Sequence, residues 1–304
     1  MRRAASVYRL LYSMDDLQVL DVLFEHELLP LERKGEIQEM VRKSTDPLGA
    51  FLVKKKLLSE RALYRFITRD LGMNSKGIFR FKDYEITGRT IPKYRTSGDF
   101  FGIFPLSNSR VAVTLCDVAG KGIEAALLTI HLANLLNSGV DMSSVVPSSV
   151  MKRVNIISRA FFEVDRYSTF VFIVLDLLSG TVEYSAAGSP PLLRYAYREN
   201  EVEELDTRNI PIGIFDDFPY RGSRSDLNPG DAILLYTDGA CEGEDLQGRA
   251  YGIDRMKRVF KKHARQSTRS LLRHLIFDWR RHFIFRRQAD DTTYLVLRRV
   301  KKKR

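Results

Sequence analysis

The chain has 304 residues, 44% apolar and 29% charged, with 49 Lys/Arg against 38 Asp/Glu and two cysteines. That composition excludes whole-chain disorder and a disulfide framework, and the length allows one sizeable core plus a smaller appendage. Asp176 breaks the longest nearly apolar stretch, Thr169 to Leu178, and Tyr8, Arg9 and Tyr12 break any apolar leader, so a cytoplasmic protein without a transmembrane segment is expected.

Residues 1–76 read as a helical regulatory or interaction domain, a candidate for homodimer contacts. In DDLQVLDVLFEHELL the apolar residues Leu17, Leu20, Leu23 and Leu28 recur near helical spacing, and Pro30 closes the segment. Asp46-Pro47 opens a second helical run, and Ser59 is a plausible N-cap for ERALYRFITRDLG, with Gly72 as its stop. The stretch LGAFLVKKKLLSERALYRFITRDLGM resembles the small helical modules at the front of type II secretion and pilus ATPases, which implies a protein-contact module. Asn74-Ser75-Lys76-Gly77 is a loop signal and sets the expected boundary to a second domain, 77–304.

From Ile78 the pattern turns to β. FRFKDYEITGRTIP, DFFGIFPL and RVAVTLCDV read as consecutive strands, followed by helices over residues 123–136 and 146–162. STFVFIVLDL and TVEYSAAG follow as strands joined at Ser179-Gly180. DAILLYTDG is a further strand, residues 271–285 are helical, and TTYLVLRRV is the closing strand. Strands, two helices, strands, helix, strand is the order of an α+β sandwich rather than a βαβ repeat.

The positive charge is local. Residues 255–304 hold 18 Lys/Arg against three Asp, whereas the other 254 residues hold 31 basic and 35 acidic groups. Such a patch could meet an acidic protein, a membrane surface or nucleic acid, or form a solvated helix face with a basic tail. The aromatic residues there fall at helix-like spacing, which favours core over stacking platforms, so nucleic acid is not the expected partner. Cys116 and Cys241 are expected as small buried apolar residues.

Four aspartates stand at the ends of apolar strands: Asp99 after Gly98, Asp117 in CDVAGKG, Asp238 in YTDG and Asp290 in ADDTT. A carboxylate ending a buried strand is costly unless something pairs with it, and adjacent glycine lets carbonyls or water come close. Four of them with few basic partners suit hard divalent cations, Mn²⁺ or Mg²⁺; zinc would want His or Cys, and none of the five histidines lies in an aspartate motif. Spacing alone does not choose between Asp290 and Asp291.

The segment from about Tyr84 to Leu297 resembles the SpoIIE/RsbU-type branch of the metal-dependent (PPM, protein phosphatase 2C-like) serine/threonine phosphatases. The matching stretches include YEITGRTIPKYRTSGDFFGIF, VAVTLCDVAGKGIEAALLT, LNPGDAILLYTDGACEGEDLQGRAYGIDRM and ADDTTYLVL. The resemblance implies two stacked antiparallel sheets flanked by helices, with two metal ions at one end. It implies that Asp117 bridges both ions, that Asp238 and Asp290 hold the first and Asp99 the second, and that Val118 lends its carbonyl. Asp291, Lys121 and Gly239 fall in a supporting tier, with Lys121 in the turn entering a helix pair thought to act as a switch. Ser97, Gly102 and Ser189 depart from the residues common in relatives. A metal-activated water would then hydrolyse phosphoserine or phosphothreonine, on a phosphorylated protein that the resemblance implies is a STAS-domain factor in a partner-switching circuit. The alternative is a catalytically idle regulator of the same fold.

Overall fold

The computed structural model describes residues 16–25, 27–44, 48–59, 62, 73–74, 76–93, 97–107, 109–118, 145–161, 167–206, 208–283 and 288–301. Two six-stranded antiparallel sheets lie at the centre. The first contains β1 (Met73–Asn74), β4 (Asp99–Pro105), β5 (Arg110–Val118), β6 (Ser168–Asp176), β7 (Thr181–Ala187) and β10 (Ser223–Asp226), in the order β1-β4-β5-β6-β7-β10. The second contains β2 (Lys76–Phe81), β3 (Tyr84–Ile91), β8 (Leu192–Ala196), β9 (Glu201–Leu205), β11 (Ala232–Tyr236) and β12 (Thr292–Arg299), in the order β2-β3-β12-β11-β8-β9. The class is the α+β sandwich expected.

Alternation along each strand explains the stacking. Phe101, Val113, Leu115, Val171 and Ile173 of the first sheet meet Ile86, Ile233, Leu235, Leu295 and Leu297 of the second in a shared inner core. The opposite parity faces outward onto helices. Phe100, Phe104, Ala112, Cys116, Phe170 and Phe172 pack in one cluster with Met151 and Val154 of helix α4 (Pro147–Phe161). The same cluster includes Leu20 and Leu23 of α1 (Asp16–Glu25), Ile37 of α2 (Lys34–Arg42) and Phe51 and Leu52 of α3 (Leu48–Lys54). On the other flank, Tyr195, Leu234, Tyr294 and Val296 pack against α5 (Ile253–His263) and α6 (Thr268–His282). Helix, sheet, sheet, helix is therefore the layer order, and the N-terminal helices share a core with the sheet they cover.

Several local expectations change. FRFKDYEITGRTIP is a hairpin rather than one strand, with Lys82 at φ 49° in the turn between β2 and β3. The loop expected at residues 74–77 is a crossing point: Asn74 pairs with Phe101 in one sheet and Lys76 with Arg89 in the other, so the sandwich begins by Met73. Strands β8, β9 and β10 and helices α2 and α5 were not legible, and α6 starts three residues before expected, capped by the Ser267 hydroxyl, which accepts from Ser270 N. The Ser179-Gly180 turn is as expected, with Gly180 at φ 86° and Asp176 accepting from the amides of Leu178 and Ser179. The helix expected over 123–136, Lys121 and most of the run after Ser59 lie outside the described residues. Among the described residues no helix is long and apolar enough to cross a membrane.

Candidate metal centre

The site is built where two strand pairs of different sheets end together. In the first sheet the antiparallel register sets Asp99 of β4 directly opposite Asp117 of β5. In the second, Tyr236 pairs with Tyr294, so Thr237 and Asp238 leave β11 beside the point where Asp290 and Asp291 lead into β12. The Asp99 carboxylate links the two sheets: its Oδ2 accepts from Thr237 Oγ1 at 2.8 Å and Thr293 Oγ1 at 2.7 Å. Thr237 Oγ1 in turn accepts from Thr293 N at 2.9 Å.

Asp99 is 1% exposed, and its Oδ1 is buried with no N–H or hydroxyl partner, only the facing Asp117 carboxyl, with which it can share a proton. An orphaned buried acceptor costs about 1–3 kcal/mol, more when charged. Burial, then the facing Asp117 charge, holds the Asp99 pKa well above the usual carboxylate range despite the two threonine hydroxyls. Burial raises Asp117 to about 7, with Asp238 and Asp290 adding to the shift. Asp238 is raised by burial and by Asp290, against the opposing hydrogen bond from the Gly239 amide. Repulsion of this kind selects for a cation, and oxygen ligands alone select a hard one.

Asp290 and Asp291 separate on their partners. Asp291 Oδ1 accepts from Lys93 N and its Oδ2 from Gly98 N, each at 2.7 Å, so both oxygens are committed to holding the chain that enters Asp99. Asp290 accepts from Asp291 N at 2.8 Å, and its charge acts on Asp117 and Asp238. Gly239 is required sterically: a Cβ there would collide with the Asp291 carbonyl oxygen. Val118 ends β5, opposite Ser168. Asp291→Ala is expected to leave two backbone donors without an acceptor, costing roughly 1–3 kcal/mol in urea unfolding. It should also raise the Mn²⁺ concentration needed for thermal protection; unchanged values of both would show that the Asp99 approach is held by other contacts.

Three contributors were not legible. Glu242 is raised by burial and by the charges of Asp238 and Asp290, which places a fifth carboxylate at the cluster's edge. Thr237 and Thr293 fix Asp99; their signal was a polar residue in an otherwise apolar strand end. Cys116 is fully buried and Cys241 is pushed up to about 12 by burial, so neither offers a thiolate at neutral pH.

Among the described residues no three His, Cys, Asp or Glu side chains are drawn together closely enough to hold an ion as they stand. The aspartates stand as converging like charges with one orphaned oxygen. That donor set fits divalent cations that keep waters in their coordination sphere, as Mg²⁺ does.

Residues 107–300 match the Stage II sporulation protein E (SpoIIE) family. Phosphoserine phosphatase RsbU of Bacillus subtilis is 25% identical over 221 residues, which are 71% of this chain and 63% of RsbU. The chain thus spans somewhat less than two thirds of that relative. The SiaA-PP2C domain of Pseudomonas aeruginosa superposes with a TM-score of 0.62 at 21% identity, over 79% of this chain and 92% of that one. RsbX in complex with magnesium superposes at 0.55 and 13% identity, over 73% of this chain and 98% of that one. The structural likenesses show the shared PP2C-like fold, and the sequence match, running from the turn before β5 through β12, shows that the chain belongs to the SpoIIE family.

Proposed function

We propose that the chain is a metal-dependent protein serine/threonine phosphatase, acting through Asp99, Asp117, Asp238 and Asp290. The observation that carries this is the Asp99–Asp117 pair, level in one sheet and facing the strand ends that bear Asp238 and Asp290. In this reading the carboxylates of Asp99, Asp117, Asp238 and Asp290, with the Val118 carbonyl, would hold two Mn²⁺ or Mg²⁺ ions, and Asp117 would be shared between them. Such a pair of ions supplies a hydroxide-like water near neutral pH and offsets phosphoryl charge. The chain's own part is to gather and orient the carboxylates; burial favours their protonated form, so the charge of the cations would be what keeps them ionised. Thr237 and Thr293 fix Asp99, and Asp291 fixes the loop before it. Similarity to RsbU, named a phosphoserine phosphatase, and to RsbX, solved with magnesium, supports the reaction and the ion.

The substrate in this reading is a phosphorylated STAS-domain protein of a partner-switching pathway, in the cytoplasm. Residues 1–76 would regulate the site, with the helices as a dimer contact; sedimentation as a monomer at working concentration would remove the dimer. The deciding assay is phosphate release from phosphorylated STAS-domain proteins in Mn²⁺ and in chelator. Release in Mn²⁺ alone is expected, and equal release in both would overturn the mechanism. An idle regulator of the same fold would instead release phosphate in neither condition.

A further inference from the structure

On the flank of the second sheet, between α6 and the β2–β3 hairpin, lies a groove of about 580 Å³ that the metal centre does not use. Five cations line it: Lys76, Arg89, Arg269, Arg273 and Arg280. No carboxylate lines it among the described residues, and Lys76, Arg89, Arg269 and Arg280 have no ion-pair partner there. Arg273 reaches only the Ser270 hydroxyl, at 3.5 Å. The nearest carboxylate on β3, Glu85, is committed to Thr268 and Arg80.

This charge is unfavourable for the fold by itself. Arg269 sits in the first turn of α6, where the helix dipole disfavours a cation, and that turn holds no acidic residue. Arg269 and Arg273 are four apart on one helix face, a like-charge spacing that destabilises a helix. Apolar groups stand among the cations: Phe277 is 60% exposed and Ile78 41%. Along the groove runs β2, which among the described residues pairs only with β3 and so leaves one backbone edge open.

We infer that this groove docks an acidic segment of a partner protein, with carboxylates on the arginines and an apolar side chain between Ile78 and Phe277. An extended segment could also add to the β2 edge, a recurring mode of peptide recognition. Charge complementarity selects an anion, and the concave, partly apolar floor selects a peptide over a membrane surface. A single exposed aromatic ring offers no stacking series for nucleic acid. The groove is on the side of the metal centre: Arg89 is two residues along β3 from Ile91, which pairs with Thr292 next to Asp291.

The test uses the full chain and fluorescence anisotropy with a short fluorescein-labelled peptide of Glu and Leu. Phosphatidylglycerol vesicles and a single-stranded oligonucleotide are the comparison arms. The wild type is expected to bind the peptide with salt-dependent affinity, and Arg273→Glu with Arg280→Glu to weaken it roughly tenfold or more. Phe277→Ser should weaken it with the salt dependence retained, and both variants should keep the wild-type urea midpoint. No peptide binding by the wild type, equal binding by the variants, or loss confined to vesicles or oligonucleotide would overturn the inference. Hydrolysis of p-nitrophenyl phosphate should be the same in all three proteins. Its complete absence would count against the phosphatase reading and leave the groove result standing.

Discussion

Asp117→Asn is expected to remove Mn²⁺-dependent phosphate release, by roughly 10³-fold or more, because several kcal/mol of transition-state stabilisation depend on the ions it would bridge. The same variant should not be less stable in chelator. Asp117 faces Asp99 across the β4–β5 pair and is raised to about 7 by burial and neighbouring carboxylates, so a neutral amide removes repulsion. Activity and metal-free stability are therefore predicted to move apart. Measured together, the expected pattern is no turnover, an unchanged or higher melting temperature in chelator, and loss of the Mn²⁺-induced rise. Turnover near the wild-type level would sink the assignment of Asp117. Loss of turnover with a collapsed melting temperature would instead make it a structural residue.

The second large effect is on pH. A carboxyl group whose folded pKa is raised from 3.8 to about 7 favours folding while protonated. That contribution is fully present below about pH 4 and is lost as the pH rises through 7. In chelator, unfolding free energy should therefore fall by roughly 2–3 kcal/mol between pH 5 and pH 8, at about 1.4 kcal/mol per pH unit for one proton. Saturating Mn²⁺ should reverse the trend, since ligands must be deprotonated to bind and binding stabilises only the folded chain. The buried Trp279, the chain's single tryptophan, is a convenient fluorescence reporter for urea titrations. A flat or rising profile in chelator would show that the carboxylates do not share one low-dielectric site.

How much of this was legible in the sequence depends on what each residue's neighbours are. Nearly continuous apolar runs such as RVAVTLCDV and TTYLVLRRV are legible as strands directly, because each is buried on both faces between sheet and helices. β9 and β10 were missed because they lie at the two outer edges: EVEEL and SRSD are largely exposed and carry little apolar signal. Helix α5, IDRMKRVFKKH, buries only Met256 and Phe260 and reads as a run of charge. At the site, the aspartates were legible because a carboxylate is out of place at the end of an apolar strand. The threonines were not, since Thr is at home in a strand. The difference between Asp290 and Asp291 is a matter of which backbone amides lie nearby, and those belong to Lys93 and Gly98, almost two hundred positions away.

The threonine link to Asp99 has a mechanical consequence. One carboxylate oxygen from the first sheet is gripped by two hydroxyls of the second, so the distance between the sheets is read out at the aspartate end like the opening of a caliper. That opening is set by the thickness of the inner core, where Phe101 and Leu295 both crowd against Gly88. Side chains remote from the aspartates, chosen only to fill space between two sheets, thereby gauge how far apart the carboxylates stand.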